Sequence, residues 1–106
     1  MKHIRNETEL AEYMKLDQFI LFKRSATCPV SAEAFEEYRL FADGEPDVPT
    51  VYLIVQEDRE LSNHIAETYH VKHQSPQAIL FRNGNVAWHD SHWRIKKETI
   101  EEAMMN

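Results

Sequence analysis

Three short, dense apolar segments alternate with amphipathic helical segments, and this alternation limits the fold more than any other feature of the sequence. The segments Phe19 to Phe22, Val48 to Val55 and Gln77 to Phe81 show almost no polar alternation. Such runs are typical of strands that are buried on both faces. Because a sheet buried on both faces needs helices on each side, the pattern predicts an α/β fold with a central sheet.

Four segments have the apolar spacing of helices, namely Asn6 to Leu16, Pro29 to about Phe41, Glu60 to His70 and Lys97 to Met105. Asn6 and Glu9 have the spacing of a capping box, and proline suits the first helical position. We expect strands that are separated by these helices to be parallel, through right-handed crossovers.

Asn83-Gly84 is a strong signal for a tight β-hairpin, so the strand Asn85 to Asp90 is expected to return antiparallel to its predecessor. A short strand at His3 to Arg5 would bring the sheet to five strands. The sequence thus predicts one domain over residues 1–106, with a mixed sheet of four or five strands, flanking helices, a C-terminal β-hairpin and a final helix.

The charge balance disfavours several classes of partner. The chain has 12 basic and 18 acidic residues, a formal net charge of −6. Nucleic acids and anionic membranes attract net positive surfaces, so we expect neither as a partner. No apolar run approaches the length of a membrane span, and Met1 to Arg5 lacks the apolar core of a secretory signal.

Cys28 is the only cysteine, which excludes an internal disulfide and a cage of several cysteines around a metal. Unpaired thiols favour a reducing, cytoplasmic location. The spacing of His70 and His73 invites a metal hypothesis, but both fall at loops and no convincing second pair exists. We therefore expect no metal and no tightly bound cofactor.

Cys28 directly precedes the helix that begins at Pro29. The unpaired N–H groups and the dipole of a helix N-terminus stabilise a thiolate, which is the nucleophilic form, and Lys23 and Arg24 are close in sequence. Free cysteine is also often buried and inert, so composition alone leaves both interpretations open. Ser31 could donate to the thiolate or be a plain first-turn serine. Since Ser31 cannot resolve a disulfide, an adduct on Cys28 would need a thiol from outside.

Five motifs together resemble those of the monothiol bacilliredoxins, which are thioredoxin-fold proteins of the bacillithiol redox system in Gram-positive bacteria. The motifs are Thr27-Cys28-Pro29-Val30-Ser31, Glu57-Asp58-Arg59, Ser62-Asn63, Lys72-His73-Gln74-Ser75-Pro76-Gln77, and Ser91-His92-Trp93 followed by Ile95. The resemblance covers essentially the whole chain. The chain lacks the Cys-Gly-Phe-Ser motif of monothiol glutaredoxins, which argues against their role in iron–sulfur delivery.

The resemblance implies a thioredoxin-like fold and a set of residues that meet at Cys28. Pro76 would be cis and opposite Cys28, with the backbone of Ser75 facing the incoming sulfur compound. Thr27 and Pro29 would flank the thiol. The hairpin would return Ser91, His92 and Trp93 to the same end, although Trp93 could instead be a core aromatic and His92 a plain surface residue.

Six basic residues lie in stretches without acidic residues: Lys23, Arg24, Lys72, Arg94, Lys96 and Lys97. Bacillithiol carries malate carboxylates, so a positive rim would attract it. Chance clustering on a solvated face is the alternative interpretation.

The expected function is a monothiol thiol–disulfide oxidoreductase that removes bacillithiol from S-bacillithiolated proteins, with free bacillithiol as the resolving co-substrate. We expect a monomer whose partners are those modified proteins. One alternative is a general thioredoxin-like reductase of client disulfides that uses an external thiol. Another is a non-catalytic thioredoxin-fold adaptor in which Cys28 is incidental.

Overall fold

Five strands form one mixed sheet in the computed structural model, which describes residues 1–106. The elements are β1 (Lys2–His3), α1 (Glu7–Met14), β2 (Gln18–Arg24), α2 (Pro29–Gly44), β3 (Thr50–Ile54), α3 (Arg59–Tyr69), β4 (Gln77–Arg82), β5 (Asn85–Ser91) and α4 (Lys97–Met105). A 3-10 turn, His92–Arg94, links β5 to α4. The strand order is β1-β3-β2-β4-β5. No helix is both long and apolar enough to cross a membrane.

Local sequence signals explain where several elements begin and end. The Asn6 side chain accepts a hydrogen bond from the Glu9 N–H at 2.9 Å and caps α1, as predicted. The Glu9 carboxylate accepts from the Arg5 N–H, so the reciprocal half of the expected capping box is shifted by one residue. Asn83 and Gly84 both have positive φ, 53° and 79°, which confirms the predicted tight turn.

The prediction that all helix-separated strands are parallel is wrong for β4. β2 pairs in parallel with β3, but it pairs antiparallel with β4, with Lys23 opposite Gln77. The chain passes from β3 beyond β2 and enters β4 in the reversed direction. This reversal places the start of β4, and with it Pro76, at the end of the sheet where β2 leads toward Cys28.

Each face of the sheet carries its own hydrophobic core. Leu10 of α1 and Ile65 of α3 pack on one face, and Ala34 of α2 and Ile100 of α4 pack on the other. The Tyr38 hydroxyl is fully buried in the second core and lies 2.8 Å from carbonyl oxygens of both β2 and β3. Burial raises the pKa of Tyr38 well above its usual value. This hydroxyl ties α2, the helix behind Cys28, to the two central strands.

Candidate active site

Cys28 is the N-cap residue of α2 and is partly exposed. Its backbone is extended, with φ −94° and ψ 123°, and Pro29 follows as the first helical residue, as predicted. The Cys28 carbonyl accepts the first helical hydrogen bond, from the Ala32 N–H at 3.0 Å. The side chain makes no capping hydrogen bond. A thiolate there lies at the positive end of a 16-residue helix, beside first-turn N–H groups that have no helical acceptor.

Hydrogen bonds to two side chains hold residues 25–28, which we call the Cys28 loop, in place. Ser31 is fully buried, and its Oγ accepts a hydrogen bond from the Ser25 N–H at 2.8 Å. Gln56 accepts from the Ala26 N–H at 3.1 Å and donates to Ser25 Oγ at 2.7 Å. Thr27, at the outer side of this loop, is exposed. The backbone before Cys28 is therefore fixed by one side chain from α2 and one from the loop between β3 and α3.

Gln56 was not among the residues that the sequence suggested. The pairing of Arg24 with Ile54 brings the ends of β2 and β3 together, so Gln56 follows at the same edge as the Cys28 loop. A parallel pair of strands places the residues after both strands close together. That rule is the signal that could have identified Gln56.

Residues 71–76, the Pro76 loop, reach the same end of the sheet. The Ser75–Pro76 peptide is cis, as the resemblance implied. Pro76 is buried, and its carbonyl accepts a hydrogen bond from the His92 N–H at 3.1 Å. Two buried polar atoms flank it without a hydrogen-bond partner, Ser75 Oγ on one side and Gln77 Oε1 on the other.

The turn His92–Arg94 lies against the first turns of α2, so the hairpin returns to the Cys28 end as predicted. A small cleft of about 100 Å³, the indole cleft, lies between the turn and the helix and is lined by Val30, Glu33, Ala34, His92, Trp93, Ile95 and Lys96. Trp93 is 75% exposed, which excludes the alternative of a core aromatic. Ser91 is buried beside the turn, and its Oγ accepts from Arg94 at 3.2 Å.

Lys23 is not part of a solvated basic rim. It is fully buried in β2, where its Nζ donates to the Ser62 carbonyl at 3.0 Å and to His73 Nδ1 at 3.4 Å. Burial lowers the pKa of Lys23 to about 8. Burial, followed by the positive charges of Lys23 and Arg59, lowers the pKa of His73. Lys23 therefore supports the Pro76 loop from the α3 side.

The other five basic residues of the expected rim do not form one surface. Arg24 lies over the Phe35 ring, 4.1 Å from its centroid. The Lys97 side chain lies near Gly44, at the far end of α2 from Cys28, and pairs with Glu101 at 4.0 Å. Lys96 lines the indole cleft. Of these five residues, only Lys72 and Arg94 line a cleft that is also lined by a residue adjacent to Pro76, namely Gln77.

Those two residues line a second cleft, the polar cleft, of about 410 Å³. Its lining consists of Lys72, Gln74, Gln77, His89, Asp90, Ser91 and Arg94. The largest cavity, about 690 Å³, lies between α2 and the β1–β3 side of the sheet and does not include Cys28, Ser75 or Trp93 in its lining. Volume alone therefore does not identify the candidate site. No group of three His, Cys, Asp or Glu side chains is placed to hold a metal ion.

A family model described as monothiol bacilliredoxin BrxC matches residues 1–100. Among solved structures, a candidate oxidoreductase with a thioredoxin fold is 34% identical, with a TM-score of 0.90 over 96% of this chain and 91% of that chain. Thioredoxin from Fasciola hepatica is 14% identical, with a TM-score of 0.80 over 99% and 97%. Mitochondrial thioredoxin 3 from Saccharomyces cerevisiae is 18% identical, with a TM-score of 0.78 over 99% and 93%.

Proposed function

Because the chain belongs to the monothiol bacilliredoxin family, a family of thioredoxin-fold thiol–disulfide oxidoreductases, we propose that it removes bacillithiol from S-bacillithiolated proteins. Cys28 is the nucleophile in this proposal. The observation that carries it is the position of the chain's only thiol. Cys28 is partly exposed at the N-terminus of α2, at the same end of the sheet as cis-Pro76. The thiolate is the attacking species, and at this position it would lie beside first-turn N–H groups that have no helical acceptor.

The reaction consists of two disulfide exchanges. The Cys28 thiolate attacks the bacillithiol sulfur of the mixed disulfide, the new Cys28–bacillithiol bond forms, and the client sulfur leaves as a thiolate. A second bacillithiol, as its thiolate, then attacks the bacillithiol sulfur on Cys28. This step forms bacillithiol disulfide and returns Cys28 to the thiolate. Overall, the incoming bacillithiol sulfur is oxidised to the disulfide level and the client sulfur is reduced to its thiol, while the first bacillithiol sulfur stays in a disulfide throughout.

The remaining residues of the site orient this exchange. Ser31 fixes the Cys28 loop by accepting a hydrogen bond from the Ser25 N–H, and in this proposal its hydroxyl donates to the sulfur of Cys28 once the thiolate forms. Thr27 and Pro29 border the thiol in sequence. On the opposite side, the backbone of Ser75 faces the incoming disulfide in this proposal.

The turn after β5 completes the site on its outer side. Ser91, His92 and Trp93 lie between the two clefts, and the exposed indole of Trp93 provides an aromatic wall for the bound thiol. Bacillithiol acts here as a co-substrate and is not a tightly held cofactor. The exchange needs a thiol pool that is kept reduced, so we place it in the cytoplasm, with a monomeric enzyme acting on modified proteins.

The test supplies one protein substrate in two forms, S-bacillithiolated and S-glutathionylated, without free thiol. With the first form, intact mass should show one bacillithiol on each chain and none remaining on the substrate. Free bacillithiol should then release the adduct. The glutathionylated form should react at least about tenfold more slowly, a difference of about 1.4 kcal/mol in transition-state binding.

Three results would contradict the proposal in distinguishable ways. Equal rates for the two forms would favour the general disulfide reductase. A disulfide dimer, or a stable complex with the substrate protein, would show attack at the other sulfur. No reaction with either form would favour the non-catalytic adaptor.

A further inference from the structure

The polar cleft and the indole cleft are both lined by residues of the segment 91–94, and no hydrophobic side chain lines the polar cleft. Its volume of about 410 Å³ is within the range of small-molecule sites. Such sites are usually lined mainly by apolar groups, with a few polar groups that fix orientation. An entirely polar lining therefore suits a ligand part that is itself rich in hydroxyl and charged groups.

The charges of the cleft leave one cation free to bind a ligand. Asp90 is neutralised by Arg94, whose Nε lies 2.9 Å from the carboxylate, and it also accepts from the Ser91 N–H at 2.8 Å. Lys72 is exposed, and its ammonium group makes no hydrogen bond or ion pair within the chain. The cleft thus presents an unpaired ammonium group beside an already satisfied carboxylate, which favours an anionic ligand group.

Gln77 gives the cleft a fixed polar group. It is only 1% exposed, its Nε2 donates to the Lys72 carbonyl at 3.0 Å, and its Oε1 has no partner. A buried acceptor without a donor destabilises the protein, so a ligand hydroxyl that donates to Gln77 Oε1 would remove that penalty. His89, exposed on β5, can donate or accept from the opposite side. Acceptors and donors together suit hydroxyl groups, which do both.

The two clefts share one short wall. His92 and Trp93 line the indole cleft near α2, whereas Ser91 and Arg94 line the polar cleft. The hydrogen bond from the His92 N–H to the Pro76 carbonyl joins this wall to the Pro76 loop. In the proposal below, a ligand held by its sulfur at Cys28 extends past this wall toward Lys72.

We propose that the polar cleft binds the sugar and dicarboxylate portion of bacillithiol, with a carboxylate on Lys72 and sugar hydroxyls on Gln77 and His89. This assignment rests on the proposed function and specifies which part of the site recognises the thiol. Arg94 and Asp90, which form an ion pair, line one side of the cleft.

Binding can be measured without turnover, using Cys28→Ser labelled with ¹⁵N and titrated with bacillithiol disulfide. The backbone amides of Gln74, Gln77 and Asp90 and the side-chain amide of Gln77 should shift in a saturable way. Lys72→Met, in the Cys28→Ser background, should raise the dissociation constant about three- to tenfold, as expected for the loss of one partly exposed charge-assisted contact. Lys15→Met is the matched control, because Lys15 is an exposed lysine at the end of α1.

The outcomes separate this inference from the proposed function. Shifts that are confined to the surroundings of residue 28 and Trp93, or equal binding by the Lys72→Met and Lys15→Met variants, would overturn the polar cleft as the subsite. Wild-type protein that releases no bacillithiol would overturn the catalytic proposal, whereas saturable binding in the cleft would still support the subsite.

Discussion

The Cys28 loop and the Pro76 loop meet at one end of the sheet, but the serine and the glutamine beside each loop are used differently. Ser31 and Gln56 direct their polar atoms to the backbone of the Cys28 loop. Ser75 Oγ and Gln77 Oε1, beside Pro76, are buried without a partner. The comparison teaches that the fold itself fixes the loop with the thiol. The Pro76 loop is also held, by the hydrogen bond from Gln77 Nε2 to the Lys72 carbonyl, but Ser75 Oγ and Gln77 Oε1 remain without partners, as expected for a surface that completes its contacts with a substrate.

The substitution with the largest expected effect tests whether the fixed loop positions Cys28 as the nucleophile. Cys28→Ser should abolish the release of bacillithiol from a modified protein, because a hydroxyl is neither ionised nor able to form a disulfide at neutral pH. Its thermal unfolding midpoint should stay within a few degrees of the wild-type value, since Cys28 is partly exposed at a helix start. Activity in a folded Cys28→Ser protein would refute the mechanism, and a large loss of stability would favour a structural thiol.

Lys23 provides the next test, because it supports the Pro76 loop through His73. Its pKa is about 8 in the folded protein and near 10.5 when unfolded, so the unfolded state binds more protons between these values. The free energy of unfolding should therefore rise with pH across this window, by about 3 kcal/mol in total and about 2 kcal/mol between pH 7 and 9.5.

Lys23→Met should make the free energy of unfolding nearly flat over the same interval. Urea unfolding at several pH values up to 9.5 measures this, and that limit stays below the range in which Tyr38 and Tyr69, with raised pKa values, would contribute. A wild-type curve without the rise would show that Lys23 is not effectively desolvated.

Two serine substitutions compare the loops directly. Ser31→Ala leaves the Ser25 N–H without its acceptor and should lower the free energy of unfolding by about 1–3 kcal/mol. Ser75→Ala removes a buried hydroxyl that has no partner and should leave stability unchanged or slightly higher. Equal losses in urea unfolding would contradict the distinction between a fixed loop and a loop with unused polar groups.

The smallest effect concerns the wall between the two clefts. Trp93→Ala should reduce kcat/KM for a bacillithiolated protein about five- to tenfold, because an exposed indole orients the bound thiol without supporting the core. The rate with a small neutral disulfide should fall less, and Trp93→Phe should restore part of the lost kcat/KM.

Raising the salt concentration should reduce the ratio of kcat/KM for the bacillithiolated protein to kcat/KM for the neutral disulfide, because salt screens exposed charge contacts. Equal slowing of both substrates would assign Trp93 to the fold.

Short-range signals predicted the elements, whereas Ser75 and Pro76 of the candidate site were implied by the family resemblance. Asn6, Asn83 and Gly84 act on their own neighbours, so their effects could be anticipated from the sequence. The orientation of β4 could not, since α3 leads to a strand on the far side of β2 and the crossover rule applies only to parallel strands. Once β4 is reversed, Pro76 and the hairpin return follow.

The basic rim failed as a prediction because sequence proximity does not fix the direction of a side chain. Lys23 and Arg24 are adjacent in a strand, so they point to opposite faces, one into the α3 side and the other toward Phe35. Gln56 was missed for the complementary reason, since it is distant in sequence and near in space. Contacts of this kind follow from strand pairing, so the expected parallel pairing of β2 with β3, and no local pattern, was the signal that could have identified Gln56.

The reversed β4 also determines when the site comes into existence during synthesis. Gln18 and Arg82, which pair in the β2–β4 ladder, are 64 residues apart along the chain. A ribosome therefore delivers the thiol long before the strand that completes its surroundings, and closing so long a loop is among the slower steps of folding. Until then the nascent chain carries an accessible cysteine without the Pro76 loop and the β4–β5 hairpin that complete the candidate site.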